Sequence, residues 1–99
     1  MTDADLWTIA RAGYEASPSR AKQAWDAAPS TVRYCWYLGA KHVVSPEGSL
    51  KTLRHHIHPG LDLTPWHKLN AIQVQQYRNV YGAMLSTAKR ITARNRVAA

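Results

Sequence analysis

Acidic residues nearly run out halfway along this 99-residue chain: after Glu47 the only one is Asp62. Cysteine occurs once, at Cys35, which excludes an internal disulfide and fits a small buried filler between Tyr34 and Trp36. Phenylalanine is absent, so the aromatic content is four tryptophans and five tyrosines, rings that join apolar area to a polar tip. No apolar run approaches the roughly 20 residues that cross a bilayer, and no charged-plus-apolar leader opens the chain. A cytoplasmic protein with no membrane partner is therefore expected. The glycines form no phosphate-cradling loop, and no nucleotide fingerprint or zinc-hydrolase signature is present.

What remains is helical. A chain of this length supplies one modest core, so a single domain over 1–99 is expected. Thr2, Asp3 and Asp5 predict a capping box ahead of a first helix, in which Leu6, Ile9, Ala10 and Gly13 make one stripe and Trp7, Ala10 and Tyr14 another. Ser17-Pro18-Ser19 would cap a short second helix carrying Ala21, Ala24, Trp25 and Ala28 up to Pro29. Ser30 would cap a third, the most apolar segment, with Val32, Cys35, Trp36, Gly39 and Val43 on one side. The Ser45–Ser49 loop separates it from a short fourth helix with Leu50, Leu53 and Ile57, stopped by Pro59-Gly60. Thr64-Pro65 predicts the start of a long final helix reaching Ala98. Its stripe reads Trp66, Leu69, Ile72, Tyr77, Val80, Tyr81, Met84, Leu85, Ala88 and Ile91, with a bend at Gly82 and a basic end over 86–99 that projects or frays. The expected fold is an all-α bundle of four to five helices with a long C-terminal helix.

The net charge of +7 lies entirely in the second half. Through Ser49 five acids balance five bases; beyond it Asp62 faces Lys51, Arg54, Lys68, Arg78, Lys89, Arg90, Arg94 and Arg96. Such a field attracts nucleic acid, acidic protein or anionic lipid, and each cation can neutralise a phosphate. These eight residues are the candidate nucleic-acid or acidic-partner contacts. Asn70, Gln73, Gln76 and Asn79 could read base edges. A helix-turn-helix is not found: with Gly13 or Gly39 as the turn glycine, Pro18 or Pro46 falls inside the second helix. Tyr34, Tyr37 and Tyr81 are the candidate protein-interface residues, whereas Trp25, Trp36, Trp66 and Tyr77 match apolar stripes and belong to the core.

Catalysis is not expected. The six acids are scattered, and Cys35 and His42 share a helix face but stand about 10 Å apart along it. His55 and His58 also share a face, yet structural zinc needs four ligands and Asp62 is the one nearby acid, so neither metal nor cofactor is assigned.

Ile9-Ala10-Arg11, Tyr14-Glu15-Ala16, Trp25-Asp26-Ala27-Ala28-Pro29 and Arg33 resemble the opening helices of small phage and bacterial proteins bearing a ryanodine-receptor-type repeat. His58-Pro59, Leu63-Thr64-Pro65-Trp66, Leu69 and Arg78 are similar to the end of that repeat. Its His-x-x-Trp and Gly-Trp stretch has no counterpart between Lys41 and His56. The resemblance implies a helical fold, a phage or mobile-element origin, and a family role in sensing a small nucleotide-like ligand in defence or counter-defence. The expected function is a non-enzymatic protein whose basic half binds nucleic acid or a nucleoprotein complex. The alternative is a phage-encoded inhibitor or adaptor docking on an acidic host defence protein, such as a CRISPR effector. A dimer through the long helix is a third arrangement.

Overall fold

The computed structural model describes residues 1–18, 23–58 and 64–98. Among them are four α-helices and two 3-10 turns, and no strand: α1 (Asp3–Ala16), a turn at Trp25–Ala27, α2 (Ser30–Val44), α3 (Leu50–Ile57), a turn at Trp66–Lys68, and α4 (Ala71–Ala98). The protein is all-α with a long C-terminal helix, as its periodicity predicts.

α1 begins where its capping box dictates. Asp5 donates its amide to Thr2 Oγ1 at 3.2 Å, and Thr2 returns its own to Asp5 Oδ2 at 3.1 Å. That backbone hydrogen bond is the main cause holding the Asp5 carboxyl below its ordinary range. Leu6, Ile9, Ala10, Gly13 and Tyr14 are buried, and α1 packs chiefly against α4 and α2, so its two stripes do meet two neighbours.

From Gln23 onward the expected second helix is not present. Residues 19–22 lie outside the described residues; beyond them only Trp25–Ala27 turns, with Ala24 and Ala28 extended on either side. Proline at 29 disfavours helical backbone at Ala28, and a stretch this short gains too few hydrogen bonds to offset nucleation. Trp25 nonetheless reaches the core, 5.4 Å edge-on from the ring of Tyr14. Tyr14 adds a tie of its own, donating its hydroxyl to the Gln23 carbonyl.

α2 starts one residue earlier than expected: Pro29 occupies the cap position, Ser30 is already helical, and no side chain caps the free amides. Trp36, Gly39, Ala40 and Val43 are buried, while Val32, Tyr34 and Val44 remain exposed, so α2 is covered on one side only. Gly39 sets how closely α3 approaches. A Cβ there would sit 3.0 Å from Ile57 Cγ2 and 3.1 Å from Leu53 Cδ1. α3 itself is capped by Ser49, whose Oγ accepts from the Thr52 amide at 3.3 Å.

α4 begins six residues later than Thr64-Pro65 predicts. Asn70 and Gln73 make a reciprocal capping box, Gln73 N to Asn70 Oδ1 at 2.8 Å and Asn70 N to Gln73 Oε1 at 3.0 Å. Pro65 starts only the Trp66–Lys68 turn, because Leu69 is extended and breaks the helix between them. Trp66 and Leu69 therefore leave the helical stripe, and Ile72, on it, is 71% exposed. Two amides expected to be free for bases are instead spent on this cap. From Ala71 the helix continues unbroken through Gly82 to Ala98, and of the two expected behaviours of its basic end it is projection that the described residues show. Its 28 residues, about 42 Å at 1.5 Å per residue, set the longest dimension of a molecule measuring 45 × 29 × 20 Å. Only the middle is held: Val80, Met84, Thr87, Ala88 and Ile91 are buried, and residues 92–97 run past the core into solvent.

Candidate nucleic-acid interface

Spacing along α4 sorts its cations onto two faces. Arg78, Lys89 and Arg96 are separated by 11 and 7 residues, close to whole numbers of turns at 3.6 residues each. All three are exposed and point away from the buried face. Arg90 and Arg94, one turn apart, flank that face instead and border α1. There an open groove of about 330 Å³ is lined by Thr8 of α1 and Thr87, Arg90, Ile91 and Arg94 of α4. Arg90 Nη2 donates to Thr87 Oγ1 at 3.1 Å, which fixes the guanidinium at the groove wall. Thr8 Oγ1 donates to the Ala4 carbonyl at 3.0 Å and keeps its lone pairs. Two guanidinia and the Thr87 hydroxyl around this groove can donate to an anionic oxygen, whereas the Thr8 proton is spent on Ala4.

Electrostatics leaves these cations available. Between described residues the only ion pair is Arg11–Glu15, at 2.8 Å. Arg94 lies near enough to Asp5 to help lower its carboxyl pKa, but that carboxyl is tied to the Thr2 cap. Lys51 on α3 and Lys68 in the turn before α4 are exposed, on other elements.

Arg54 departs from its expected role. The structure buries it, at 5% exposure, with its guanidinium carbon 5.7 Å from the centroid of the Tyr77 ring and its Nε without a hydrogen-bond partner. It shares the α3 face of Leu53 and Ile57, and helical periodicity carries it inward with them. Arg54 thus packs its stem among apolar neighbours and offers little of its guanidinium at the surface, while its charge still bears on His58. Replacing it by methionine is expected to leave nucleic-acid affinity within about twofold and stability unchanged or slightly raised. Anisotropy and thermal melts check both.

The tyrosines separate. Tyr34, 53% exposed, stacks on Tyr37 with centroids 6.0 Å apart, and Tyr37 stacks on Trp7 at 4.6 Å. Tyr37 donates its hydroxyl to Asp3 Oδ1 at 2.8 Å, the first cause of its raised pKa, and Lys41 Nζ lies 5.9 Å from its ring. Tyr81 is not part of this ladder. It packs on the core from α4 with its hydroxyl beside Gly48, past the end of α2 remote from Tyr34. Trp25 and Trp36 are core residues as expected, whereas Trp66 and Tyr77 are only half-buried.

The histidines also disperse. His55 is exposed, while His58 is half-buried and edge-on to Tyr77 at 6.3 Å. His42 and His56 face each other at 4.9 Å, and His42 Nε2 accepts the Ser49 amide at 3.1 Å. Among the described residues no three His, Cys, Asp or Glu side chains gather as metal ligands. Burial lowers the pKa of both His56 and His58, with His42 and Arg54 respectively the next cause. A folded-state pKa below the unfolded 6.5 means the unfolded chain binds more protons as pH drops. Stability is full above about 6.5 and declines as pH falls through and below that value. Melts at about pH 7.5 and 5.5 should show the lower temperature at 5.5, and His58→Gln should narrow the gap.

The groove residues Thr8 and Thr87 were not legible in the sequence, because nothing local marks a threonine as facing a helix 79 positions away. No protein-family model, curated protein or solved structure matches the chain. Among the described residues no helix is long and apolar enough to cross a membrane.

Proposed function

We propose that this protein acts by binding rather than catalysis, and that the exposed end of α4 engages the phosphates of a nucleic acid or nucleoprotein complex, in the cytoplasm. The observation that carries this reading is the convergence of Arg90 and Arg94 with Thr8 and Thr87 on one groove, beside outward-facing Lys89 and Arg96. Phosphate contacts of this kind give affinity without base selection, and Asn70 and Gln73 are engaged in the α4 cap while Asn79 accepts from Gln75. Anisotropy of labelled DNA and RNA across a salt series tests it. Binding that weakens steeply with salt is the expected result; no binding at low salt would refute it.

A second reading has its own support. Tyr34, Tyr37 and Trp7 form an exposed aromatic ladder with Lys41 beside it, a composition suited to docking on an acidic protein surface. On this reading the protein is a small phage-encoded adaptor or inhibitor of a host defence protein. A stoichiometric protein partner recovered after nuclease treatment would favour it.

A further inference from the structure

On the other side of α1 from the arginine groove, Trp7, Trp25, Ser30 and Arg33 line a second concavity, of about 390 Å³. We propose that it binds a small aromatic acid, the ring against the two indoles and the carboxylate on Arg33. None of its four lining residues belongs to α4, so the site stands independently of nucleic-acid binding.

Three features converge on that ligand. The indoles of Trp7 and Trp25, inclined at 59° with centroids 6.3 Å apart, both line the space, Trp7 being the more exposed at 38% against 9%. Their outer contacts hold them in place: Trp7 is stacked on Tyr37 at 4.6 Å, and Trp25 meets Tyr14 edge-on at 5.4 Å. The volume lies within the range of small-molecule pockets and suits one or two rings.

The polar end is supplied by Arg33. Its Nε is buried and has no hydrogen-bond partner in the folded protein. A buried donor left unpaired costs free energy, and a charged one costs more. With Nε enclosed at the wall, a carboxylate in the concavity would meet the two terminal nitrogens of Arg33, which present donors to both carboxylate oxygens. The electrostatic setting agrees. α2 begins at Ser30 with no side-chain cap and no acidic residue in its first turn, so its positive end is not neutralised at the rim.

The test is a two-dimensional NMR titration of the intact protein with 2-naphthoate, following the four indole N–H signals. Trp7 and Trp25 are expected to shift saturably while Trp36 and Trp66 stay still. Both halves of the ligand are needed, so 2-naphthamide, with the ring but no charge, and acetate, with the charge but no ring, should each bind about tenfold more weakly or worse. Arg33→Met, which keeps the stem and removes the fork, should weaken 2-naphthoate by a similar factor while its melting temperature stays near that of the parent. Equal binding of the naphthamide, or naphthoate affinity unchanged in Arg33→Met, would overturn the assignment, as would indole shifts confined to Trp36 and Trp66.

Discussion

Replacing Lys89, Arg90, Arg94 and Arg96 together by glutamine is expected to abolish nucleic-acid binding while leaving the fold intact. All four side chains are exposed, and only Arg90 makes a described hydrogen bond, to Thr87. Glutamine keeps the helix propensity of the positions it replaces. The core on α4 closes at Ile91, so the change removes charge and little packing. If all four cations meet phosphates of a duplex, each contributes about 0.9 to the slope of log affinity against log salt, and the slope should fall by about 3.6. The two faces of α4 make a sharper comparison possible. Arg90→Gln with Arg94→Gln empties the groove, whereas Lys89→Gln with Arg96→Gln strips the outward face. A larger loss in the first pair would put the phosphate in the groove. Unchanged affinity and slope in the quadruple variant would remove nucleic acid from consideration and turn attention to the aromatic ladder at Tyr34, Tyr37 and Trp7.

Met84→Ala is expected to be the most damaging single truncation of the bundle. Met84 is fully buried where α4 crosses α1, and its side chain fills the space left by Gly13. A Cβ on Gly13 would lie 2.9 Å from Met84 Cγ and closer still to its terminal methyl. Truncating such a residue costs about 2–5 kcal/mol, a large share of the roughly 5–15 kcal/mol that holds a domain together. A drop of at least about 10 °C in melting temperature follows. Gly13→Ala supplies the matching half of a double-mutant cycle. In the parent it gains about 1 kcal/mol of helix propensity and loses about 1–3 kcal/mol to overpacking, so the net effect is destabilising or neutral. With Met84→Ala in place the space is open, and Gly13→Ala should stabilise by about 1 kcal/mol. Gly82→Ala is the control. Its Cβ would meet nothing within 4 Å, so it should stabilise in either background. If Gly13→Ala stabilises the parent as well, the thioether simply swings aside and the close approach is not a constraint.

Much of the fold could be read from local pattern. Thr2 and Asp5 announced α1, Leu50, Leu53 and Ile57 marked α3, and the spacing of Val80, Met84, Ala88 and Ile91 marked the buried side of α4, because caps and periodicity are properties of neighbouring residues. Competition between such signals was harder. Thr64-Pro65 reads as the start of α4, whereas the structure begins that helix at the Asn70–Gln73 capping box. The alanines before Pro29 looked helical, yet the described part of the segment, from Gln23, has one 3-10 turn. There the proline restriction outweighs a weak propensity.

By itself, then, the sequence determined an all-α chain, the two edges of most helices and a charge excess confined to the second half. The tertiary structure decided which charges are usable and which residues become a site. Arg54 and Arg90 look alike as letters, but α3 turns Arg54 under Tyr77 while α4 sets Arg90 at the lip of a groove. Thr8 joins Thr87, and Trp7 joins Trp25 and Arg33, only because α1 packs between α2 and α4. The physical reason is one of range. Periodicity fixes which side chains share a face of one helix, whereas the meeting of two faces depends on packing between residues far apart in the chain.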